Sequence, residues 1–188
     1  MPNSLIDIVE DAPDKRVRGT DPWVGIVIHH TGLAGATEIN TDAEWEKVFQ
    51  KSSAWLMAKD PTYVSAHYII SRQGKIKQLV DPAKYIAFHA GESAFWNPEK
   101  RKWMNDCNPY FVGIEMVGDG DCYRYTDQQY NSCAKLSNWL FTNHTWMTPN
   151  CIVGHNMIAP HRKVDPGKFW NWGVFYDLFF SFRKNLIK

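Results

Sequence analysis

The stretch Gly154-His155-Asn156-Met157-Ile158-Ala159-Pro160-His161-Arg162-Lys163-Val164-Asp165-Pro166-Gly167 brings an imidazole, an ammonium and a carboxylate close together in the chain. Pro160 and Pro166 deny it a continuous helix, so it reads as mostly loop. A loop that carries His, Lys and Asp between proline stops suits a site better than packing. Far upstream, Ile26-Val27-Ile28-His29-His30-Thr31-Gly32 ends an apolar run in two histidines and a glycine. That is the pattern of a buried strand delivering its last side chains to a sheet edge. Two neutral imidazoles and one carboxylate would make a three-ligand zinc site with its fourth position open to water, an arrangement that is catalytic rather than structural. Neighbours on a strand point to opposite faces, so only one of His29 and His30 easily reaches a shared metal.

The elements that must position these groups follow from periodicity. Val24 to Ile28 reads as a buried strand. Asp42 to Ala58 reads as a helix, with Trp45, Val48, Phe49 and Leu56 near one face and Asp60-Pro61 as its stop. His67 to Ser71 and Lys75 to Val80 read as a hairpin turning at Gln73-Gly74, followed by a short strand around Ile86 to Phe88. Residues 91 to 110, rich in Pro, Asn, Trp and charge, read as a long ordered loop. Phe111 to Val117 reads as a strand on which Val112, Ile114 and Met116 face one way and Glu115 the other. A carboxylate in such a strand is costly to bury unless it is paired or looks into a polar groove. Thr126 and Gln129 form a capping box that starts a helix. Cys151 to Val153 forms a short strand leading into Gly154-His155, and a last helix begins after Pro166-Gly167. Strand and helix interleave, so the fold class is α/β or α+β around a mixed sheet.

The 188 residues predict one domain with a core that needs no staples. Residues 1 to 22 read as an irregular N-terminal arm and residues 23 to 188 as the domain itself. A net charge of +1 with scattered basic residues excludes an electrostatic case for nucleic acid. No stretch has the length of a charge-free membrane span, so stable membrane insertion is not expected. The first twenty residues hold Asp7, Glu10, Asp11, Asp14, Lys15 and Arg16 and no signal-like apolar core. The four cysteines form no metal-type pair, and free buried thiols are the default without export. Synthesis in the cytosol and a monomer are expected. Aromatics at 14%, with nine tryptophans, mostly fill the core, and some are candidates to line a groove.

Several separated blocks occur in a telling order: Val27-Ile28-His29-His30-Thr31, Ser65-Ala66-His67-Tyr68-Ile69-Ile70 with Gly74, His89-Ala90-Gly91, Val112-Gly113-Ile114-Glu115, and Gly154-His155 through Asp165-Pro166-Gly167. Over roughly residues 24 to 172 the chain resembles the zinc-dependent N-acetylmuramoyl-L-alanine amidases. That superfamily includes phage lysozyme-type endolysins, muropeptide-recycling amidases and peptidoglycan recognition proteins. The resemblance implies a central mixed sheet flanked by helices, with one zinc ion at the floor of a surface groove held by His29, His155 and Asp165. It implies Glu115 and Lys163 as catalytic residues, and peptidoglycan or muropeptides as partner. The chemistry agrees: a carboxylate beside an activated water can accept its proton and pass it to the leaving amine, and an ammonium can stabilise the tetrahedral oxyanion.

Around that centre, His30 is expected behind the metal ligands or in the substrate-binding groove wall, His89 as a substrate contact and Arg162 as a partner for a muropeptide carboxylate. His67 is expected to pack and hydrogen-bond, and His144 to cap a helix or face solvent. Ala66, where some lysozyme-type relatives have tyrosine, goes with the glutamate-using branch. The recycling enzymes' pattern has asparagine after the first zinc histidine and arginine ahead of Ser-Ala-His; here those positions hold His30 and Tyr63. The sequence therefore favours a phage-type endolysin that reaches the cell wall after holin-type release. A cytosolic anhydro-muropeptide-recycling amidase and a non-catalytic peptidoglycan-binding module stand as alternatives.

Overall fold

A computed structural model of the protein describes residues 5–19, 22–36, 38–59, 64–143 and 147–184. Ten short strands and four helices appear among them. Six of the strands form one mixed sheet. From edge to edge they are β1 (Ile8–Val9), β5 (Ile76–Gln78), β4 (Tyr68–Ile70), β9 (Phe111–Met116), β3 (Gly25–His30) and β10 (Ile152–Gly154). β4 and β5 are the antiparallel hairpin expected from the turn at Gln73-Gly74. β4, β9, β3 and β10 run parallel, so their carboxyl ends open at the same edge of the sheet. In open α/β sheets that edge is where ligands bind.

Alternation along the strands divides the core. Ile26, Ile28, Tyr68, Ile70, Val112, Ile114 and Met116 face helices α2 (Asp127–Asn143) and α4 (Trp172–Lys184), against Tyr130, Leu136, Leu140, Phe175 and Phe179. On the other face Ile69 and Leu79 pack against Trp45, Val48, Phe49 and Leu56 of α1 (Asp42–Met57). Val27, Phe111, Val153 and Ile158 make a third cluster beside the parallel edge. Both long helices begin with reciprocal caps. Thr41 and Glu44 form one at α1, and Thr126 and Gln129 form the other at α2, the second as read from the sequence. α1 ends where the Ala58 N–H reaches the Trp55 carbonyl; Asp60-Pro61 lies outside the described residues.

Two expectations are corrected. Residues 5–19 are irregular only in part. β1 extends the main sheet alongside β5, and β2 (Lys15–Val17) pairs with β6 (Tyr85–Ala87). Strands of two and three residues are too short to show alternation. The 91 to 110 segment is not a plain loop, because β7 (Ala94–Asn97) and β8 (Lys102–Asn105) form a hairpin with Trp96 opposite Trp103. Pro98, Glu99, Lys100 and Arg101 belong to the turn, where the Asn97 side-chain oxygen accepts the N–H groups of Glu99 and Lys100. The stretch from Gly154 to Gly167 is mostly loop as read from the sequence, with His155–Ile158 making one helical turn, α3, ahead of Pro160.

Candidate active site

β3 and β9 lie in register, with His29 opposite Glu115. Both side chains leave the sheet on the face away from the α2 and α4 core. His155 follows β10 directly as the first residue of α3. The chain then returns to place Asp165 beside it, tied by the Asn156 N–H to the Asp165 carbonyl at 2.9 Å. Tyr125 donates its hydroxyl hydrogen to the Pro166 carbonyl at 2.6 Å. The backbone of Gly120 passes so close beneath that a Cβ there would lie 1.8 Å from the same oxygen. Only glycine permits this approach.

The result is a triangle of donor atoms. His29 Nδ1 and His155 Nδ1 are 2.9 Å apart, and each is 3.0 Å from Asp165 Oδ2. All three residues are nearly sealed, at 1%, 2% and 6% exposure. A tetrahedral ion with bonds of about 2.0 Å has ligand-to-ligand edges of about 3.3 Å, close to these. Three such atoms this near to one another need a hydrogen or a cation between them. The donor set, the triangle and the burial all fit a divalent metal ion, and among the described residues this His-His-Asp cluster can hold one.

The triangle forms part of the wall of a cavity of about 440 Å³, together with His30, Thr31, Ser52, Trp55, Glu115 and Lys163. Glu115 is partly exposed to it, and its Oε2 is buried without a hydrogen-bond partner among the described residues. Burial, then repulsion from the Asp165 carboxylate, push the Glu115 carboxyl up to about 8, with the Lys163 ammonium opposing. Burial is the main cause that lowers His29 to about 4, with Asp165 opposing and His155 and Lys163 adding to it, so its imidazole is neutral near pH 7.

The other sequence candidates fall into place unequally. Arg162 lines the cavity, but its Nε donates to the Glu92 carbonyl at 2.8 Å and one Nη donates to the Ala90 carbonyl. Two of its three nitrogens therefore serve the loop rather than a ligand. His89 also lines the cavity, yet both its ring nitrogens meet protein atoms, His29 Nε2 at 3.0 Å and the Phe111 carbonyl at 3.1 Å. It has no ring nitrogen left to contact a substrate as expected from sequence. His30 lines the wall and accepts the Gly120 N–H at 2.9 Å. His67 is fully buried and accepts the Gly113 N–H at 3.0 Å, the packing role expected of it. His144 lies outside the described residues.

Sequence reasoning missed Ser52 and Trp55, which carry α1 into the cavity. The available signal was a tryptophan off the apolar face of that helix. It also missed Asn108, whose side-chain oxygen accepts the N–H groups of His89 and Ala90 at 2.8 and 2.7 Å.

The family model for N-acetylmuramoyl-L-alanine amidase matches residues 19–168, most of the length. The chain belongs to the N-acetylmuramoyl-L-alanine amidase family. A 1,6-anhydro-N-acetylmuramyl-L-alanine amidase, AmpD of Haemophilus influenzae, is 40% identical over 109 residues, 58% of this chain and 55% of the relative. The alignment thus spans little more than half the length of that relative. The crystal structure of a selenomethionine AmpD derivative superposes with a TM-score of 0.72 at 29% identity, over 91% of this chain and 93% of that one. The structure of AmiD from E. coli, solved with anhydro-N-acetylmuramic acid-L-Ala-D-gamma-Glu-L-Lys, gives a TM-score of 0.65 at 26% identity, over 83% of this chain and 57% of the other. The mixed sheet with flanking helices is therefore the fold of this amidase family.

These relatives overturn the expectation of holin-type release to the cell wall, because relatives from several bacteria are named for the 1,6-anhydro compound. The misreading has a physical source. The residue after His29 supplies an acceptor for the Gly120 N–H. An asparagine side chain can also accept a hydrogen bond, so this position does not by itself separate the two readings. Tyr63 lies outside the described residues. Among the described residues no helix is long and apolar enough to cross a membrane.

Proposed function

We propose that the chain is a zinc-dependent amidase that cleaves the bond between the lactyl group of N-acetylmuramic acid and L-alanine, acting on 1,6-anhydro-muropeptides. The observation that carries this reading is the His29, His155 and Asp165 triangle facing Glu115 across one cavity. The names of the AmpD relatives and the ligand in the AmiD structure support the substrate class. They favour the recycling-type alternative over an endolysin.

His29 and His155 would hold the ion through Nδ1, and Asp165 through Oδ2. Zinc in that position would lower the pKa of a water and polarise the scissile carbonyl. Two neutral imidazoles and one carboxylate leave that centre with a net charge near +1. The chain's own residues supply the rest. With a cation in the triangle lowering its raised pKa, Glu115 would be ionised and would take a proton from the attacking water as the new C–O bond forms. Lys163, partly buried at the same wall, balances the negative charge that gathers on the carbonyl oxygen. Glu115 then gives the proton to the alanyl nitrogen as the C–N bond breaks. The products are a muramic acid carboxylate and a peptide with a free L-alanine amino terminus. His30 and Arg162 are left as walls that shape the groove.

Digestion of a defined anhydro-muropeptide by zinc-loaded protein, followed by mass spectrometry, tests the reading. Release of peptide with a new L-alanine amino terminus, blocked by chelation, is the expected result. Intact substrate with measurable binding would move the chain to the recognition-module class. Efficient cleavage of intact sacculi with no turnover of the anhydro compound would restore the endolysin reading.

A further inference from the structure

We infer that His89 is a positioning residue for the metal ligand His29. With the Ala90 carbonyl, it sets which nitrogen each ligand histidine turns towards the ion. The inference rests on the zinc reading above and adds the hydrogen-bond layer behind it.

The assignment follows from what a carbonyl can do. The Phe111 carbonyl lies 3.1 Å from His89 Nε2 and only accepts, so that nitrogen carries the hydrogen. A neutral imidazole has one N–H, and His89 Nδ1 is therefore an acceptor. It lies 3.0 Å from His29 Nε2, which must then be the donor. That places the hydrogen of His29 on Nε2 and leaves a lone pair on Nδ1, the atom at the triangle. His155 is fixed by a shorter route. Its Nε2 faces the Ala90 carbonyl at 3.1 Å, so its Nδ1 also presents a lone pair. Each ligand histidine thus gives its other N–H to a fixed acceptor, the arrangement that orients metal-binding rings.

One dipeptide supplies both acceptors, and the fold is built around it. Asn108 is buried and holds the two backbone N–H groups of His89 and Ala90 with a single oxygen. The His29 and His89 rings meet edge to face, with centroids 5.1 Å apart at 81°. Gly113 on β9 makes the space, because a Cβ there would lie 2.5 Å from His89 Cγ. An imidazole also suits the charge balance. A carboxylate in its place would add a third negative group to a region that already holds Asp165 and Glu115, and would cost the ion part of its Lewis acidity.

Two measurements test this. In wild-type protein, nitrogen-15 NMR of the imidazoles should show the hydrogen of His29 on Nε2 and that of His89 on Nε2. Zinc affinity, read by competition with a chromogenic chelator, should fall about 10- to 100-fold in His89→Phe, which fills the space but offers no acceptor. His89→Asn places an oxygen where Nδ1 stood and should recover most of that loss, which a merely space-filling role would not produce. A His29 hydrogen on Nδ1, or a His89→Phe affinity within twofold of wild type, overturns the inference. Wild-type protein that binds no zinc overturns the zinc reading and this one together; wild-type binding with an unchanged His89→Phe overturns this one alone. The NMR measurement needs no variant and decides the matter even if His89→Phe does not fold.

Discussion

His29 and Glu115 are register partners on adjacent parallel strands, so the backbone ladder of β3 and β9 sets the spacing between the proposed first metal ligand and the proposed base. Neither depends on a loop for its place. His155 and Asp165 come from a helical turn and a loop, and reach the same point because Gly120 and Gly154 allow the chain to pass close to Pro166. A rigid half and a folded-over half meet at the triangle. A geometry fixed in this way can be tested one function at a time.

Glu115→Gln separates metal holding from proton transfer. The amide keeps the size of the side chain and removes the base, and Glu115 does not belong to the triangle. Zinc stoichiometry should remain one per chain, and the rate should fall by about 100-fold or more. Loss of zinc in this variant, measured by atomic absorption, would show that Glu115 is a ligand rather than a base.

The same carboxyl makes the metal-free protein sensitive to pH. Its folded value is pushed up to about 8 from an ordinary 4.5. The folded state holds the proton across that window while the unfolded chain releases it. Stability contributed by the group is therefore present at low pH and declines as pH rises from about 4.5 to about 8. Metal-free wild type should lose denaturant stability relative to Glu115→Gln over this range, with the two converging near pH 4. A cation in the triangle adds positive charge and should lower the Glu115 value, shrinking the difference. Parallel stability curves for the two metal-free proteins would contradict the burial of this carboxylate.

Removing the metal should also cost stability directly. Without a cation, two imidazole nitrogens and a carboxylate oxygen about 3 Å apart stay buried with only a hydrogen to share between them. At free zinc one hundred times the dissociation constant, binding contributes about 2.7 kcal/mol, or roughly 5–10 °C in Tm for a chain of this size. Calorimetry with and without a chelator measures it, and His155→Ala should abolish the zinc-dependent part.

Most of the frame was legible because it rests on periodicity and caps. β3, β9, α1 and α2 announce themselves through alternation, helical spacing and the Thr126–Gln129 box. The triangle was legible because His29, His155 and Asp165 sit beside strong punctuation, a strand end and two prolines. The β7–β8 hairpin was hidden by a turn rich in charge, and β1 by its two-residue length. The role of His89 could not be read, since it depends on the Phe111 carbonyl, a backbone atom that no side-chain pattern reports. Ser52 was hidden for a related reason: a small polar residue on a helix says nothing about which cavity it faces.

Ser52 yields a prediction in which stability and function move in opposite directions. Its hydroxyl is buried, lines the cavity and has no hydrogen-bond partner among the described residues. A buried unpaired hydroxyl costs about 1–3 kcal/mol, so Ser52→Ala should leave the free protein unchanged or slightly more stable. If the hydroxyl is kept for a polar group of the substrate, the same change should raise KM about 2- to 12-fold, the worth of one hydrogen bond. Zinc content and kcat should stay close to wild type, because Ser52 lies outside the triangle and is not a proton carrier. Steady-state kinetics beside a denaturation curve reads both quantities from one preparation. A destabilised Ser52→Ala with unchanged KM would mean that the hydroxyl serves the fold of α1 and not the ligand.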